Sequence, residues 1–299
     1  MKKNIKFTAY LQIFILTISS ISSASARSKH TSKSETQDIA TGILATYGES
    51  DLSKKPAFQG GYINFGYWKN IHKNVPFSNA DRAVASFELY KLAIDQLNIM
   101  PNDRILEVGC GLGYGCKYVA SLYNPATSTC IDIIPQQIER AKIIHKDLVN
   151  STSVQFEVAA ADNTNLLDGS YSKIYSVEAA QYFPSMPKFA DEVFRLLEPK
   201  GLLVITAHFS SNEKGYSETK KLLPTVAAGI DRMIPIEQVR SAVTNKGFKE
   251  LKFESIGKYV FKNFDQWISQ VNDEPWAHNI FKLYQDGHID YYLIVLQKP

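Results

Sequence analysis

From residue 104 onward, short apolar runs alternate with stretches whose apolar residues recur at helical spacing. The runs predict strands at 105–108, 127–131, 154–158, 173–177 and 202–207, and two later runs predict strands at 248–256 and 289–296. Helical spacing predicts helices at about 113–122, 135–148 and 187–197. Strands that alternate with helices imply right-handed βαβ units. We therefore expect an α/β fold with a doubly wound, seven-stranded sheet, mostly parallel with a C-terminal antiparallel hairpin.

The N-terminus has the pattern of an export signal. Three lysines precede an apolar core at 9–16, and small residues at 24–26 fit a cleavage site. The apolar part is shorter than the roughly 20 residues that span a bilayer, and Gln12 interrupts it. We expect residues 1–26 to be a cleaved signal peptide, which leaves an exported, periplasmic or secreted protein without a stable membrane span. A cytoplasmic or membrane-tethered protein remains the alternative.

The rest of the chain divides into segments of different residue composition. Residues 27–80 form an extension that is first polar and then, from residue 56, rich in glycine and aromatic residues. A helical apolar pattern over 81–98 opens the main domain, which we expect to cover 81–299. Within it we expect a cap insertion at about 210–247 and a helical insert at about 258–286.

Composition and charge narrow the function classes. The chain is 44% hydrophobic and 21% charged, as globular proteins are. Without the three lysines of the signal, 30 basic residues face 30 acidic ones, so no basic excess favours nucleic acid. The three cysteines form neither a disulfide framework nor a zinc pattern, and we expect no metal. One disulfide, between Cys110 and Cys130 at the ends of neighbouring predicted strands, is an alternative that the sequence does not decide.

A glycine-rich loop follows the first predicted strand. It reads Glu107-Val108-Gly109-Cys110-Gly111-Leu112-Gly113, and a predicted helix opens directly after it. Glycines let the backbone turn tightly and approach a ligand without a Cβ in the way. The G-x-G-x-G spacing departs from the G-x-G-x-x-G loop of nicotinamide and flavin enzymes. A carboxylate ahead of the loop suits a cationic amino group better than a pyrophosphate.

Acidic residues end the next two strands. Asp132 follows the second strand, where a carboxylate can accept hydrogen bonds from both hydroxyls of a ribose. Asp162 and Asn163 follow the third strand, and Asp162 could accept a hydrogen bond from an exocyclic amine. The alternatives are a helix N-cap for Asp132 and an ordinary turn for Asp162. Parallel sheets bind ligands at this edge, which favours a site.

At this point the chain resembles the class I S-adenosylmethionine-dependent methyltransferases, with a Rossmann-like fold, over about residues 80–299. The resemblance rests on ILEVGCGLGYG (105–115), CIDIIPQQIERAK (130–142), AADNTNLL (160–167), KIYSVEAAQYF (173–183) and EVFRLLEPKGLLVIT (192–206). It implies S-adenosyl-L-methionine as cofactor. The implied roles are the methionine part for Glu107, Gly109, Gly111 and Gly113, the ribose for Asp132, the adenine for Asp162 with Asn163, and the nucleoside for Gln137.

A narrower resemblance concerns the segment GGYINFGYW (60–68) and the C-terminal segment 284–299. Both are similar to the erythromycin-, rifamycin- and phthiotriolone-type O-methyltransferases. The resemblance implies a small-molecule acceptor that carries a hydroxyl group and is natural-product- or lipid-like. It does not decide the oligomeric state, for which a homodimer is one possibility. Tyr62, Tyr67 and Trp68 are then candidates for an aromatic lid that shields the sulfonium. The alternative is that they are core aromatic residues.

The position at which many family members have their general base carries a different residue in this chain. Many members have a His just after the fourth strand, where this chain has Gln181 and Tyr182. His208, after the fifth strand, is the replacement that we expect, and Glu178 is the second candidate. An exported binding protein that keeps the fold without turnover is the alternative function.

Overall fold

A computed structural model describes residues 44–49, 51–71, 76–150, 154–271 and 274–299. The predicted signal peptide, residues 1–26, lies outside the described residues. A single sheet organises the described chain. Its strands are β1 (Arg104–Val108), β2 (Thr127–Asp132), β3 (Val154–Val158), β4 (Tyr171–Val177), β5 (Leu197–Ser210), β6 (Lys249–Ser255) and β7 (Ile289–Gln297).

The seven strands lie in the order β3-β2-β1-β4-β5-β7-β6. β1 to β5 pair in parallel, whereas β7 pairs antiparallel with both β5 and β6. The predicted fold class is therefore confirmed. The strand order reverses between β1 and β4, and in such sheets the carboxyl ends of the strands at this point form the ligand-binding crevice.

Helices cover both faces of the sheet and fill the insertions. They are α1 (Asn79–Asp95), α2 (Tyr114–Tyr123), α3 (Pro135–Ile144), α4 (Lys146–Asn150), α5 (Met186–Leu196), α6 (Glu213–Leu222), α7 (Pro224–Ala227), α8 (Ile236–Lys246), α9 (Phe261–Val271) and α10 (Pro275–Gln285). α6 to α8 lie between β5 and β6, and α9 and α10 lie between β6 and β7. Both insertions thus follow a strand end at or near the ligand-binding edge.

Two elements differ from the sequence-based expectation. The helix expected over 135–148 ends at Ile144, because His145 leaves helical geometry and its Nε2 contacts the Leu112 carbonyl oxygen at 2.9 Å. β5 is longer than expected. It continues to Ser210, because β7 pairs with it from Leu202 to Ser210. His208 therefore lies inside a strand, opposite Tyr291.

The core has a large cluster on each face of the sheet. One packs α1, α9 and α10 against Ile105, Tyr175 and Val204. The other packs α5 and α8 against Leu106, Ile174 and related strand residues. Within the described part of the chain, no helix combines the length and apolar character needed to cross a membrane.

Candidate functional site

The glycine loop turns tightly over the end of β1. Gly109 has φ +79°, and a Cβ there would clash with the Cβ of Ala179, which follows β4. Gly111 also has positive φ, +51°, but a Cβ built there would meet no atom within 4 Å. Gly109 is therefore needed for close packing between two strand ends, whereas Gly111 presents open backbone to whatever lies above the loop.

Asp132 joins the glycine loop to the start of α3. Its Oδ2 accepts a hydrogen bond from the Gly111 N–H at 2.9 Å, and its Oδ1 accepts one from the Ile134 N–H at 2.9 Å. Burial raises the pKa of Asp132, although these backbone donors oppose the shift. Gln137 in the first turn of α3 is buried, and its Oε1 has no hydrogen-bond partner among the described residues. Asp132 thus places its acceptor oxygens beside the loop.

Glu107 lies beneath the loop with its side chain fully buried. Its Oε2 accepts a hydrogen bond from the Tyr175 hydroxyl at 2.9 Å. Its Oε1 has no partner within the described ranges. Burial raises the pKa of Glu107 to about 8. A buried carboxyl with an unpaired oxygen can be completed by an N–H donor, so its assignment to the methionine part stays a prediction.

The disulfide differs from the one that the sequence left open. Cys130 pairs with Cys116 in the first turns of α2, with 6.4 Å between their Cα atoms, whereas Cys110 is a free and buried thiol. Cys116 lies in the helix that follows the loop, whereas Cys110 lies in the loop itself. Glu107 lies close to both paired sulfurs, but a disulfide occupies the sulfurs that a metal would need.

Asp162 and Asn163 form a turn after β3. The Asn163 N–H donates to the Ala160 carbonyl oxygen at 3.2 Å, and Asn163 is exposed while Asp162 is partly buried. The turn is fixed from behind, since the buried Glu192 accepts hydrogen bonds from the N–H and hydroxyl of Thr164. Both predicted adenine contacts therefore lie at the ligand-binding edge of the sheet, and their role stays a prediction.

Glu178 directly follows β4 in a strained conformation, with φ +51°. Such strain in a residue other than glycine costs about 1 kcal/mol or more and is typical of functional sites. One carboxyl oxygen, Oε2, accepts hydrogen bonds from the Phe65 N–H and the Tyr291 hydroxyl, both at 2.9 Å. Burial raises the pKa of Glu178 to about 8. The next residue, Ala179, packs on Gly109 of the glycine loop.

His208 is buried, and its Nδ1 has no hydrogen-bond partner in the described structure. Burial lowers its pKa to about 3, so the ring is neutral at physiological pH. It stacks on Phe65 with 5.1 Å between ring centroids, and Phe65 in turn stacks on Phe264 at 4.4 Å. His208 and Glu178 therefore meet around Phe65, which the sequence reasoning missed.

The three predicted lid aromatics take different positions. Tyr62 packs between Tyr90 and Tyr114 near the glycine loop, with centroid distances of 5.5 and 5.0 Å. Tyr67 and Trp68 are buried in the core, and the Trp68 indole N–H donates to the Phe65 carbonyl oxygen at 2.9 Å. For Tyr67 and Trp68 the core alternative thus describes the structure, and the Trp68 indole also holds the Phe65 carbonyl group in place.

A second group near the site was not found from sequence. The hydroxyls of Tyr47 and Tyr182 lie 2.6 Å apart, and Arg140 on α3 donates to the carbonyl oxygens of Tyr47 and Gly48. Asp231 is coupled to both tyrosines electrostatically, and burial raises its pKa to about 6. Tyr47 follows a polar segment without periodicity, so no sequence signal pointed to it.

Comparison with known proteins identifies a domain within the chain. A family model described as "Methyltransferase domain" matches residues 106–205, the stretch from β1 into β5 that carries the loop, Asp132 and Glu178. Residues 106–205 therefore form a methyltransferase domain, and the relatives and the solved structure below support the class I S-adenosylmethionine-dependent family for it. The cofactor of this family is S-adenosylmethionine.

Two relatives and one solved structure show the range of this family. The chain is 30% identical to a fatty-acid O-methyltransferase of Mycolicibacterium smegmatis over 48% of this chain and 52% of that protein. It is 24% identical to the erythromycin 3''-O-methyltransferase of Saccharopolyspora erythraea over 76% and 74% of the two chains. The chain thus spans about half the length of the first relative. Geranyl diphosphate C-methyltransferase from Streptomyces coelicolor A3(2), solved with S-adenosyl-L-homocysteine, shares the methyltransferase fold with TM-score 0.73, 13% identity and coverage of 87% and 98%.

Proposed function

We propose that the chain binds S-adenosylmethionine at the glycine loop and transfers its methyl group to a small-molecule or lipid-like acceptor. The arrangement of Gly111 and Asp132 carries this proposal. The loop leaves open backbone at Gly111, while Asp132 is held beside it by two backbone N–H donors. Carboxylate oxygens so placed suit the two hydroxyls of a ribose.

The other residues at this edge fit the remaining parts of the donor. The unpaired Oε1 of Glu107 is an acceptor for an ammonium group, and the unpaired Oε1 of Gln137 is an acceptor near the nucleoside. The sulfonium group supplies an electrophilic methyl carbon, so the chain has to position the two reactants and exclude water. The acceptor then lies beyond the loop, toward Glu178, Phe65 and His208.

His208 and Glu178 remain the candidates for taking a proton from a hydroxyl-bearing acceptor. His208 is neutral and has a free ring nitrogen, but its low pKa makes it a weak base. Glu178 has the stronger basicity once ionised, and a cationic ligand nearby would favour its ionised form. We therefore propose Glu178, which was the second candidate from sequence, as the group that receives the proton.

Export of the chain is a separate proposal. It is supported by the pattern of residues 1–26 and by the Cys116–Cys130 disulfide, since disulfides persist in oxidising compartments. An exported enzyme must meet a cofactor that cells make internally. N-terminal sequencing of the chain recovered from cells decides the point, because a start at Arg27 supports export and a start at Met1 contradicts it.

The glycine loop offers a matched test of cofactor binding. Gly111 and Gly169 both have positive φ, +51° and +60°, and a Cβ at either position would meet no atom within 4 Å. Ala at either position therefore strains the backbone equally, by about 1 kcal/mol. Gly169 precedes β4 and lies at the opposite edge of the sheet. We expect Gly111→Ala to weaken S-adenosylmethionine binding about tenfold or more in calorimetric titration, because its methyl group enters the ligand's space.

The Gly169→Ala variant is the control, and it should bind as the wild type does while losing similar thermal stability. Equal affinities for Gly111→Ala and wild type would contradict the placement of the ligand above this loop.

A further inference from the structure

We infer that the Cys116–Cys130 disulfide is a redox switch for the cofactor site, and that its reduction to two thiols strengthens the binding of S-adenosylmethionine. This inference rests on the proposed function, because the switch acts on Glu107, the residue proposed to hold the ammonium group of the cofactor. Three observations support it: the position of the disulfide, the contact of one sulfur with Glu107, and the charges around that carboxyl group.

The disulfide joins the two segments that form the proposed cofactor site. Cys116 is the third residue of α2, the helix that follows the glycine loop, and Cys130 lies on β2, two residues before Asp132. Cys130 is also the register partner of Glu107 on the neighbouring strand. Both sulfurs lie within 4.8 Å of a Glu107 carboxyl oxygen. A change in the disulfide therefore acts directly on the carboxyl group beneath the loop.

One of the bonded sulfurs touches the Glu107 carboxyl group. Sγ of Cys116 lies 2.9 Å from Oε2 of Glu107, the oxygen that also accepts the hydrogen bond from the Tyr175 hydroxyl. A disulfide sulfur carries no hydrogen and cannot donate to this oxygen, whereas a thiol at the same place can. Reduction thus gives Oε2 a second donor. It leaves Oε1, which has no partner among the described residues, for the cofactor.

The charges around Glu107 make such a donor important. The groups that face this carboxyl are Tyr62, Tyr90 on α1, Cys110 in the loop, Cys116 on α2, Asp132 after β2 and Tyr175 on β4. None of these is a cation. Burial raises the pKa of Glu107 to about 8, so the carboxyl has to lose a proton before it can hold an ammonium group. A thiol that donates to the ionised form lowers this pKa and favours the binding state.

Opening the disulfide should leave the folded geometry in place. Both sulfurs are fully buried in an apolar cluster that also contains Ile138, Val154 and Phe156, and this packing holds α2 on β2. A disulfide acts mainly by restricting the unfolded chain, so its reduction lowers the stability of the fold. A gain in cofactor affinity together with a loss of stability distinguishes the switch from a purely structural disulfide.

The redox step requires a reductant, which we take to be a dithiol. A thiolate of the dithiol attacks one cysteine sulfur, the Cys116–Cys130 bond breaks, and a mixed disulfide forms. The second thiol of the reductant then displaces the cysteine, so two electrons and two protons pass to the cysteines while the dithiol becomes a disulfide. An exported chain with the closed bond would bind the cofactor weakly until it reached a reducing compartment, which is where cells make the cofactor.

Calorimetric titration of the oxidised and the reduced full chain with S-adenosylmethionine tests this inference. Thiol counting in denaturant identifies the two forms, because the closed form has one free thiol and the reduced form has three. At pH 7 the form reduced by dithiothreitol should bind about fivefold or more tightly and melt at a lower temperature. The ratio of affinities should approach one near pH 9, where Glu107 is ionised in both forms.

Two matched variants separate the thiol from the covalent bond. Neither Cys116→Ala nor Cys130→Ala can form the disulfide, and each removes one sulfur from the same buried cluster. Only Cys130→Ala keeps the thiol that faces Glu107. In dithiothreitol, Cys130→Ala should bind as tightly as the reduced wild type, and Cys116→Ala about fivefold or more weakly. Cys110→Ala is the control and should keep the ratio between the oxidised and reduced forms.

Reciprocal linkage tests the switch in the wild-type chain alone. If the reduced form binds the cofactor about fivefold more tightly, saturation with S-adenosylmethionine favours reduction by the same factor. That factor raises the midpoint potential by about 20 mV in a titration against reduced and oxidised dithiothreitol. Because both sulfurs are buried, each point is equilibrated for hours.

Equal affinities of the two forms, or tighter binding by the oxidised form, would overturn the inference. So would equal affinities of Cys116→Ala and Cys130→Ala, or three free thiols in a chain kept in an oxidising glutathione buffer. Failure of the proposed function is distinguishable, because neither form would then bind S-adenosylmethionine, whereas binding that is equal in both forms contradicts the switch alone.

Discussion

Arg82→Met is expected to lower the free energy of unfolding by about 3 kcal/mol, because it leaves buried acceptors without donors. Arg82 is fully buried on α1 and donates to Ser86 and to the carbonyl oxygens of Ala57 and Asn64. These hydrogen bonds attach the segment 57–68, which supplies the Phe65 N–H to Glu178. Urea denaturation measures the loss, and limited proteolysis should show earlier cleavage within 51–71.

The matched control for this variant is Arg240→Met. Arg240 pairs with Glu237 and Glu250 at the surface and is 40% exposed, so its loss should cost less than about 1 kcal/mol. If Arg82→Met were as stable as Arg240→Met, the buried guanidinium would not be what holds the aromatic segment on α1.

A pH-dependent loss of stability is the second large effect that we expect. Burial raises the pKa of Glu107 and of Glu178 to about 8, whereas an exposed glutamate titrates near 4.5. Between these values the folded chain binds protons that the unfolded chain has lost, so stability falls as the pH rises. Below about pH 6.5 the buried and neutral His208 opposes this fall, because burial lowers its pKa to about 3, so the fall is clearest from about pH 6.5 to 8. The maximal slope is about 1.4 kcal/mol per pH unit for each group. Thermal denaturation of the ligand-free chain across this range measures it.

Glu107→Gln should flatten this slope by about half, because the amide resembles the protonated acid and does not titrate. Glu192→Gln is the control, because the pKa of Glu192 is shifted in the opposite direction. Its partners Arg195 and Thr164 lower the pKa of Glu192 to about 2 against the effect of burial, so Glu192 stabilises the fold above about pH 4.5. That variant should lose stability at neutral pH and keep the downward slope above about pH 6.5. A melting temperature that stays constant from about pH 6.5 to 8 in the wild type would contradict the buried state of both carboxyl groups.

The sheet and its ligand-binding edge could be predicted from sequence for a physical reason. Buried parallel strands have continuous apolar runs, and the helices between them have a clear period, so their alternation determines the topology. Once the topology is known, the glycine loop and Asp132 must lie at the same edge. The hydrogen bond between the Gly111 N–H and Asp132 shows that the two lie together at that edge.

The acceptor side could not be predicted in the same way. Residues 56–71 have no regular period, so nothing in the sequence says that Phe65 faces Glu178 while Trp68 enters the core. Tyr47 meets Tyr182 across 135 residues of chain. The pairing of Cys116 with Cys130 depends on how α2 turns after the loop, which strand ends alone do not determine.

Calorimetric titration of the purified chain with S-adenosylmethionine tests the central claim most directly. We expect micromolar binding that weakens about 10- to 100-fold in Asp132→Ala, since that variant loses charged hydrogen bonds to the ribose. Asp191→Ala, which removes an exposed carboxyl paired with Lys246, should bind as the wild type does. A folded wild-type chain that binds no S-adenosylmethionine would contradict the enzyme proposal and favour a binding protein that keeps the methyltransferase fold without turnover.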